Sequence, residues 1–236
     1  MKSFLIILGK ILVVLACIGA LLFISRNFMA RKSVEMGVRT VTGFPMTIKE
    51  VNLASNLSSL DASDMRMLNP QSEYSAPHFI TISKLHMEFD PISMVKRSPH
   101  IKVMTLDIPK ISIVRSNQGV YNVMKLKPIT DINNPMPNDG RPSNYQLDQL
   151  SITLGTVVVE DFTRDQHTVK EFAVNKTVKF SGLTNPGDIA QAILMIVLTS
   201  PDVKVPDLGL KMENLKTGVG KAVDNAVKGI AIPKPK

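Results

Sequence analysis

The chain of 236 residues contains no tryptophan, and aromatic residues make up only 5% of it. Its core must therefore be filled by valine, isoleucine, leucine and methionine. Hydrophobic residues reach 44%, and methionine alone accounts for 13 positions. The methionine thioether is flexible and fills irregular gaps, so these residues read as core filling ahead of a thioether-lined metal or cofactor site. Cysteine occurs once, at Cys17. One thiol cannot close an intramolecular disulfide, so packing alone holds the body together in any compartment. Nor does Cys17 fit a lipoprotein attachment site, because Leu22, Phe23 and Ile24 continue the apolar run where a mature N-terminus should turn polar.

Catalytic signatures are missing as well. The sequence has no HExxH, no G-x-S-x-G elbow, no glycine-rich phosphate loop and no dinucleotide fingerprint. Its histidines, His78, His86, His100 and His167, lack metal-ligand spacing, and the sole cysteine lies in the apolar run, which leaves no structural zinc set. His86 reads as a solvent-facing strand residue. Asp61 with Asp64, or Asp161 with Asp165, could be imagined as acid pairs, but turn carboxylates commonly serve backbone hydrogen bonds. The expectation is a protein that is not an enzyme, with no catalytic, cofactor-binding or metal-binding residue and no cofactor.

No acidic residue precedes Glu35, which inflates the net charge of +8. Without Lys2, Lys10 and Arg26, the 28 basic residues fall to 25 against 20 acidic ones, a net +5 spread over the body. A mildly basic body suits anionic lipid headgroups. It lacks the aromatic-laced basic stripe that stacks bases, so nucleic acid is not an expected partner.

What the sequence does have is a long apolar start. Phe4 to Ile24 is a run of 21 residues broken only by Lys10. As a helix it covers about 32 Å, enough for a hydrocarbon core of about 30 Å, and Lys10 can snorkel to the headgroups. No small-x-small cleavage site stands before a polar start, so an uncleaved transmembrane anchor is predicted with its flanks over residues 1–30. Lys2 and Lys10 before the main span are balanced by Arg26, Arg31 and Lys32 after it. Flanking charge therefore does not set the orientation.

From Val38 to Gly187 the pattern is that of strands. Val38 to Gly43 is β-prone, and Met46 and Ile48 share a phase that Val51 and Leu53 abandon, which predicts a bulge near Lys49-Glu50. Ile80 and Ile82 likewise fall out of phase with Leu85, Met87 and Phe89. Further runs are Ile101 to Ile108, Lys110 to Arg115, Leu147 to Leu154, Thr156 to Phe162 and Thr168 to Phe180, with Pro109 at a bulge or an edge. A sheet with one apolar face must pack on another layer, curl on itself or hold an apolar ligand. Residues 127–142 carry the composition of a loop. Ile82–Leu85 and Leu147–Leu150 each introduce a strand pair, a soft hint of internal repetition.

At the C-terminal end Asp188 is expected to cap a helix over Ile189–Leu198, too short to span a bilayer and better suited to closing the open end of the sheet. Leu208, Met212, Leu215, Val219, Ala222 and Ala226 predict a second helix in a tail with seven lysines against three acids after Val203. The domain reading is an anchor over 1–30, a β-rich body over 31–187 and a helical, basic C-terminal region over 188–236.

Several motifs also carry a family resemblance. Thr42-Gly43, Asn69-Pro70, Phe89-Asp90-Pro91, Pro109-Lys110-Ile111 and Asn122 to Leu126 follow the N-terminal run in an order that resembles the AsmA-like family of bacterial envelope proteins. Gly155 to Asp161 and the helical tail look like its short, planctomycete-type members. The resemblance implies a mainly β fold: a curled, antiparallel-rich sheet or short β-groove, with an N-terminal transmembrane helix and C-terminal helices. It also implies a single-pass anchor in the bacterial inner membrane, with the body in the periplasm. Inner-membrane lipid is then the first expected partner, with phospholipid in an apolar groove, envelope proteins or self-association as others. A lipid-associated or lipid-handling module follows as the expected function. The alternative is a structural scaffold or interaction protein of the envelope without a lipid ligand.

Overall fold

Alternating apolar residues build six strands in the computed structural model, which describes residue 10 and residues 24–204 apart from 71–72, 75, 97, 134–143 and 164–166. The strands are β1 (Met46–Leu53), β2 (Ser59–Leu68), β3 (His78–Phe89), β4 (His100–Arg115), β5 (Gln146–Asp161) and β6 (Thr168–Leu183). They form one sheet in chain order, with β1 and β6 as its two edges. All neighbours are antiparallel except β4 and β5, which run parallel. A parallel pair needs a crossover. Here the connection contains a 3-10 turn (Asn122–Lys125) and helix α3 (Lys127–Asn133). The expected mainly β, antiparallel-rich sheet is present, in mixed form and open rather than closed.

Several expectations require correction. Residues 38–42, expected as a strand, end a helix, α1, that runs through 24–42. Gly43 stops it with φ +83° while its N–H donates to Arg39 O at 2.9 Å, a left-handed exit that costs glycine little. Residues 127–133, expected as the start of a loop, form α3, with Pro128 in the first turn where a missing N–H costs nothing. The two strand pairs are not a translational repeat either. Because β4 and β5 are parallel, β3 and β5 run in opposite directions.

The paired runs on either side of Pro109 and of Gly155 merge into single 16-residue strands, β4 and β5. A Cβ at Gly155 would lie 2.7 Å from Pro109 O, so glycine is required beside the proline. This pair belongs to a line that crosses the whole sheet. In-facing residues change phase between Ile48 and Val51, Ala62 and Met65, Ile82 and Leu85, Ile108 and Ile111, and Leu154 and Val157. The breaks of β1 and β2, of β2 and β3, and of β4 and β5 lie opposite one another in the strand register, and those of β3 and β4 are offset by two residues. Asp64 (φ 50°) and Asn175 (φ 44°) sit on the same line, the latter where β6 shifts register by one residue. A break in one strand alone would turn the rest of its apolar residues to the other face. Matched breaks keep them on one face. The bulge expected near Lys49-Glu50 is not found: β1 and β2 change phase together, and their register stays continuous.

Helix α4 (Gly187–Thr199) follows β6 and packs on α3, β5 and β6. Its N-cap is Pro186, and Asp188 lies in the first turn, where its carboxylate accepts from Asn185 N–H at 3.1 Å. The 31 boundary drawn from sequence falls inside α1 and the 188 boundary inside α4, and both helices join the same core as the sheet. Among the described residues no helix is long and apolar enough to cross a membrane. The predicted anchor, Phe4–Ile24, lies outside the described residues except for Lys10 and Ile24, as does the helix predicted over residues 208–226.

Candidate functional site

One face of the sheet carries nearly all of the apolar residues and is covered by α1, the crossover and α4. Helix α1 is held along the free edge of β1 by side chains rather than by strand pairing. The Glu35 carboxylate accepts from Ile48 N–H at 3.1 Å, and Asn27 Oδ1 accepts from Leu53 N–H at 3.0 Å. Arg31 Nε (3.1 Å) and Lys32 Nζ (2.8 Å) also donate to Glu35. Burial pushes the Glu35 pKa up, but these hydrogen bonds outweigh it and hold the carboxyl below its usual range. Two edge donors are thereby satisfied, and the edge is masked from other strands.

The C-terminal half of α1 then overhangs the sheet without filling the space beneath it. A cavity of about 330 Å³ remains between α1, the sheet and α4. Val34, Val38 and Val41 line it from α1, and Ile189, Ala190 and Ile193 from α4. On the sheet side Met46, Met65, Met67, Met87 and Met104 contribute five of the 13 methionines. Gly37 also faces the cavity, and a Cβ there would meet no atom within 4 Å.

Polar side chains on this wall, among the described residues, come from Thr42 and Tyr145 alone. Thr42 Oγ1 is occupied by Val38 O at 2.7 Å and by the Phe44 N–H at 3.2 Å. Burial, together with the Asp188 charge, pushes the Tyr145 phenol far up, so it stays protonated. Asp188, behind the wall at the start of α4, is itself pushed up to about 6 by burial, against the lowering effect of backbone donors from Asn185 and Thr184. Such a wall can hold hydrocarbon. Apart from the Tyr145 hydroxyl, no side chain of the described residues on this wall would compensate the desolvation of a charged or strongly polar group.

The ionisable groups singled out in the sequence lie elsewhere. His86 is on the opposite, outer face, 2.7 Å from Asp61 and 3.5 Å from Glu88. The hydrogen bond to Asp61 raises its pKa against partial burial. Asp64 pairs with Lys49 at 3.3 Å rather than with Asp61. Asp161 is tied to Thr163 and Arg115, which hold its carboxyl low, and its imagined partner Asp165 lies outside the described residues. His100 bonds Asp148 across the parallel strands at 2.8 Å, and His167 contacts Glu160 at 3.2 Å. His78 lies half-buried at the start of β3. Among the described residues no group of three His, Cys, Asp or Glu could hold a metal ion.

Sequence reasoning anticipated the α4 wall and missed the α1 wall. The missed signal was a helical period: Ala30, Val34, Val38 and Val41 recur at spacings of four, four and three. β-branched residues at 38, 41 and 42 masked it. Compared with protein-family models, curated proteins and solved structures, the chain matches none.

Proposed function

We propose that this protein is an AsmA-like, lipid-associated module of the bacterial envelope. In this reading residues 4–24 anchor it in the inner membrane, its body lies in the periplasm, and the cavity under α1 holds one hydrocarbon chain of a membrane lipid. The observation that carries the reading is the apolar cavity itself. At about 330 Å³ it lies at the small end of the range of about 300–1,000 Å³ typical of ligand sites. Its wall suits an acyl chain, and a phospholipid headgroup would have to stay outside it.

Gly37 supplies the test. Gly37 lines the cavity and a Cβ there meets no atom within 4 Å, so Gly37→Leu should extend into the cavity while improving helix propensity by somewhat under 1 kcal/mol. Native mass spectrometry of the gently extracted full chain should show co-purifying lipid. The Gly37→Leu chain should have an equal or higher melting temperature and lose that lipid. A wild-type chain free of lipid would favour the scaffold reading instead.

A further inference from the structure

Helix α2 (Pro91–Val95), between β3 and β4, packs Met94 against the core and buries Ser93, but leaves Ile92 and Val95 exposed. Asp90 Oδ1 caps it by accepting from Ile92 N–H at 3.0 Å, and Pro91 occupies its first turn. Its polar Ser93 is buried, donating from Oγ to Asp90 O at 2.6 Å and accepting from His100 N–H at 3.0 Å. That pinning turns Ile92 and Val95 outward, where they are 62% and 85% exposed. Single exposed apolar residues are ordinary, but a helix turned to bury its serine and show its isoleucine and valine is not.

The position of α2 gives the exposure a meaning. Phe89 N–H donates to Ser58 O at 2.9 Å, which places α2 beside the β1–β2 turn. The start of α1 reaches the same turn, since Arg26 donates to Ser55 Oγ at 3.1 Å and Asn27 accepts from Leu53 N–H. Ile24 (77% exposed), Phe28 (62%) and Leu57 (47%) therefore join Ile92 and Val95 at one end of the sheet. This is also the end at which the 21-residue apolar run, closing at Ile24, enters the body. Lys96, exposed directly after Val95, suits the headgroup layer.

We infer that this end of the molecule is a membrane-contact surface, seated on the bilayer that holds the chain's own N-terminal run, with Ile92 and Val95 of α2 dipping into its interface. The contact rests on the anchored reading above, and it adds a second, peripheral point of attachment that fixes the tilt of the sheet over the lipid. Two attachments orient a body where one only tethers it.

The test uses the full chain with Cys17→Ser and a single new cysteine carrying an environment-sensitive fluorophore. One variant is Val95→Cys; the control is Val169→Cys, exposed on β6 next to the residue that pairs with Asp161 at the opposite end of the sheet. Both chains are reconstituted in vesicles of phosphatidylethanolamine and phosphatidylglycerol containing doxyl-labelled lipid. Both should float with the vesicles. The label at 95 should then lose most of its emission to the doxyl groups, and the label at 169 should lose none. Chains that float with equal emission at 95 and 169 overturn the contact surface and leave the anchor standing. The same holds if 95 is shielded but unquenched, as by a protein partner. Chains that fail to float overturn both.

Discussion

Two buried asparagines show how single residues lock this fold. Asn122 Nδ2 donates to Asn69 Oδ1 at 2.8 Å and to Ser112 O at 2.9 Å, while its Oδ1 accepts from Val114 N–H (3.0 Å) and Val123 N–H (2.8 Å). Asn69 Nδ2 completes the chain by donating to Ala76 O at 2.9 Å. The Asn-Pro that closes β2 and the Asn that opens the crossover, two of the motifs behind the family resemblance, are thus partners in space. Asn122→Ala would strand several buried backbone and side-chain groups at once. It should cost about 3 kcal/mol, read as a drop in denaturation midpoint. Asn122→Asp should cost at least as much, because a carboxylate cannot donate to Asn69 Oδ1. Asp188 makes a different residue-scale prediction. Its folded pKa of about 6 lies above the unfolded 3.8, so the folded state binds the extra proton between those values. Stability is then greatest below about pH 4 for this group and falls as pH rises through 6, by about 2 kcal/mol after allowance for solvent screening. Asp188→Asn keeps an acceptor for the Asn185 N–H and should flatten that slope, measured as melting temperature against pH. An unchanged slope would mean that another group titrates there.

At the scale of elements, α4 separates packing from cavity lining within one helix. Ile196 is buried and does not line the cavity, whereas Ile193 is half-buried and lines it. Ile196→Asp should therefore destabilise the full chain by about 3–5 kcal/mol, the scale of an unpaired buried charge. Ile193→Asp can turn toward the cavity and should cost clearly less, while abolishing lipid retention. Equal losses of denaturation midpoint would show that no cavity separates α1 from α4. The two sheet edges contrast in the same way. β1 is masked by α1 through Glu35 and Asn27, whereas β6 carries Lys170, Lys176 and Lys179 and a register shift at Asn175. Charge and irregularity are the means by which open edges avoid pairing with other chains.

At the scale of the molecule, the period of two and its breaks were already legible in the sequence. Met46, Ile48, Val51 and Leu53, and Ile80, Ile82 and Leu85, marked both the strands and the line where their phase changes. These signals are local, because the alternation of a strand depends only on its own pleat. The same is true of the largely apolar residues 189–198 that became most of α4. Other features depend on partners far along the chain. Val38–Thr42 has strand-like side chains, yet it is helical, because Val34, Val38 and Val41 cover the apolar face while Glu35 reaches the edge of β1. Burial of that face outweighs a propensity difference of a few tenths of a kcal/mol per residue. The fit of Gly155 to Pro109, the meeting of Asn69 with Asn122 and the parallel pairing of β4 with β5 exist only across the sheet. So does the cavity, which is the space left where α1 and α4 meet the methionines without filling the gap between them. The sequence by itself determined a β-rich body with one apolar face behind a long apolar N-terminal run. The tertiary structure decided what covers that face and where it stays open, because those outcomes depend on which distant side chains compete for the same buried volume.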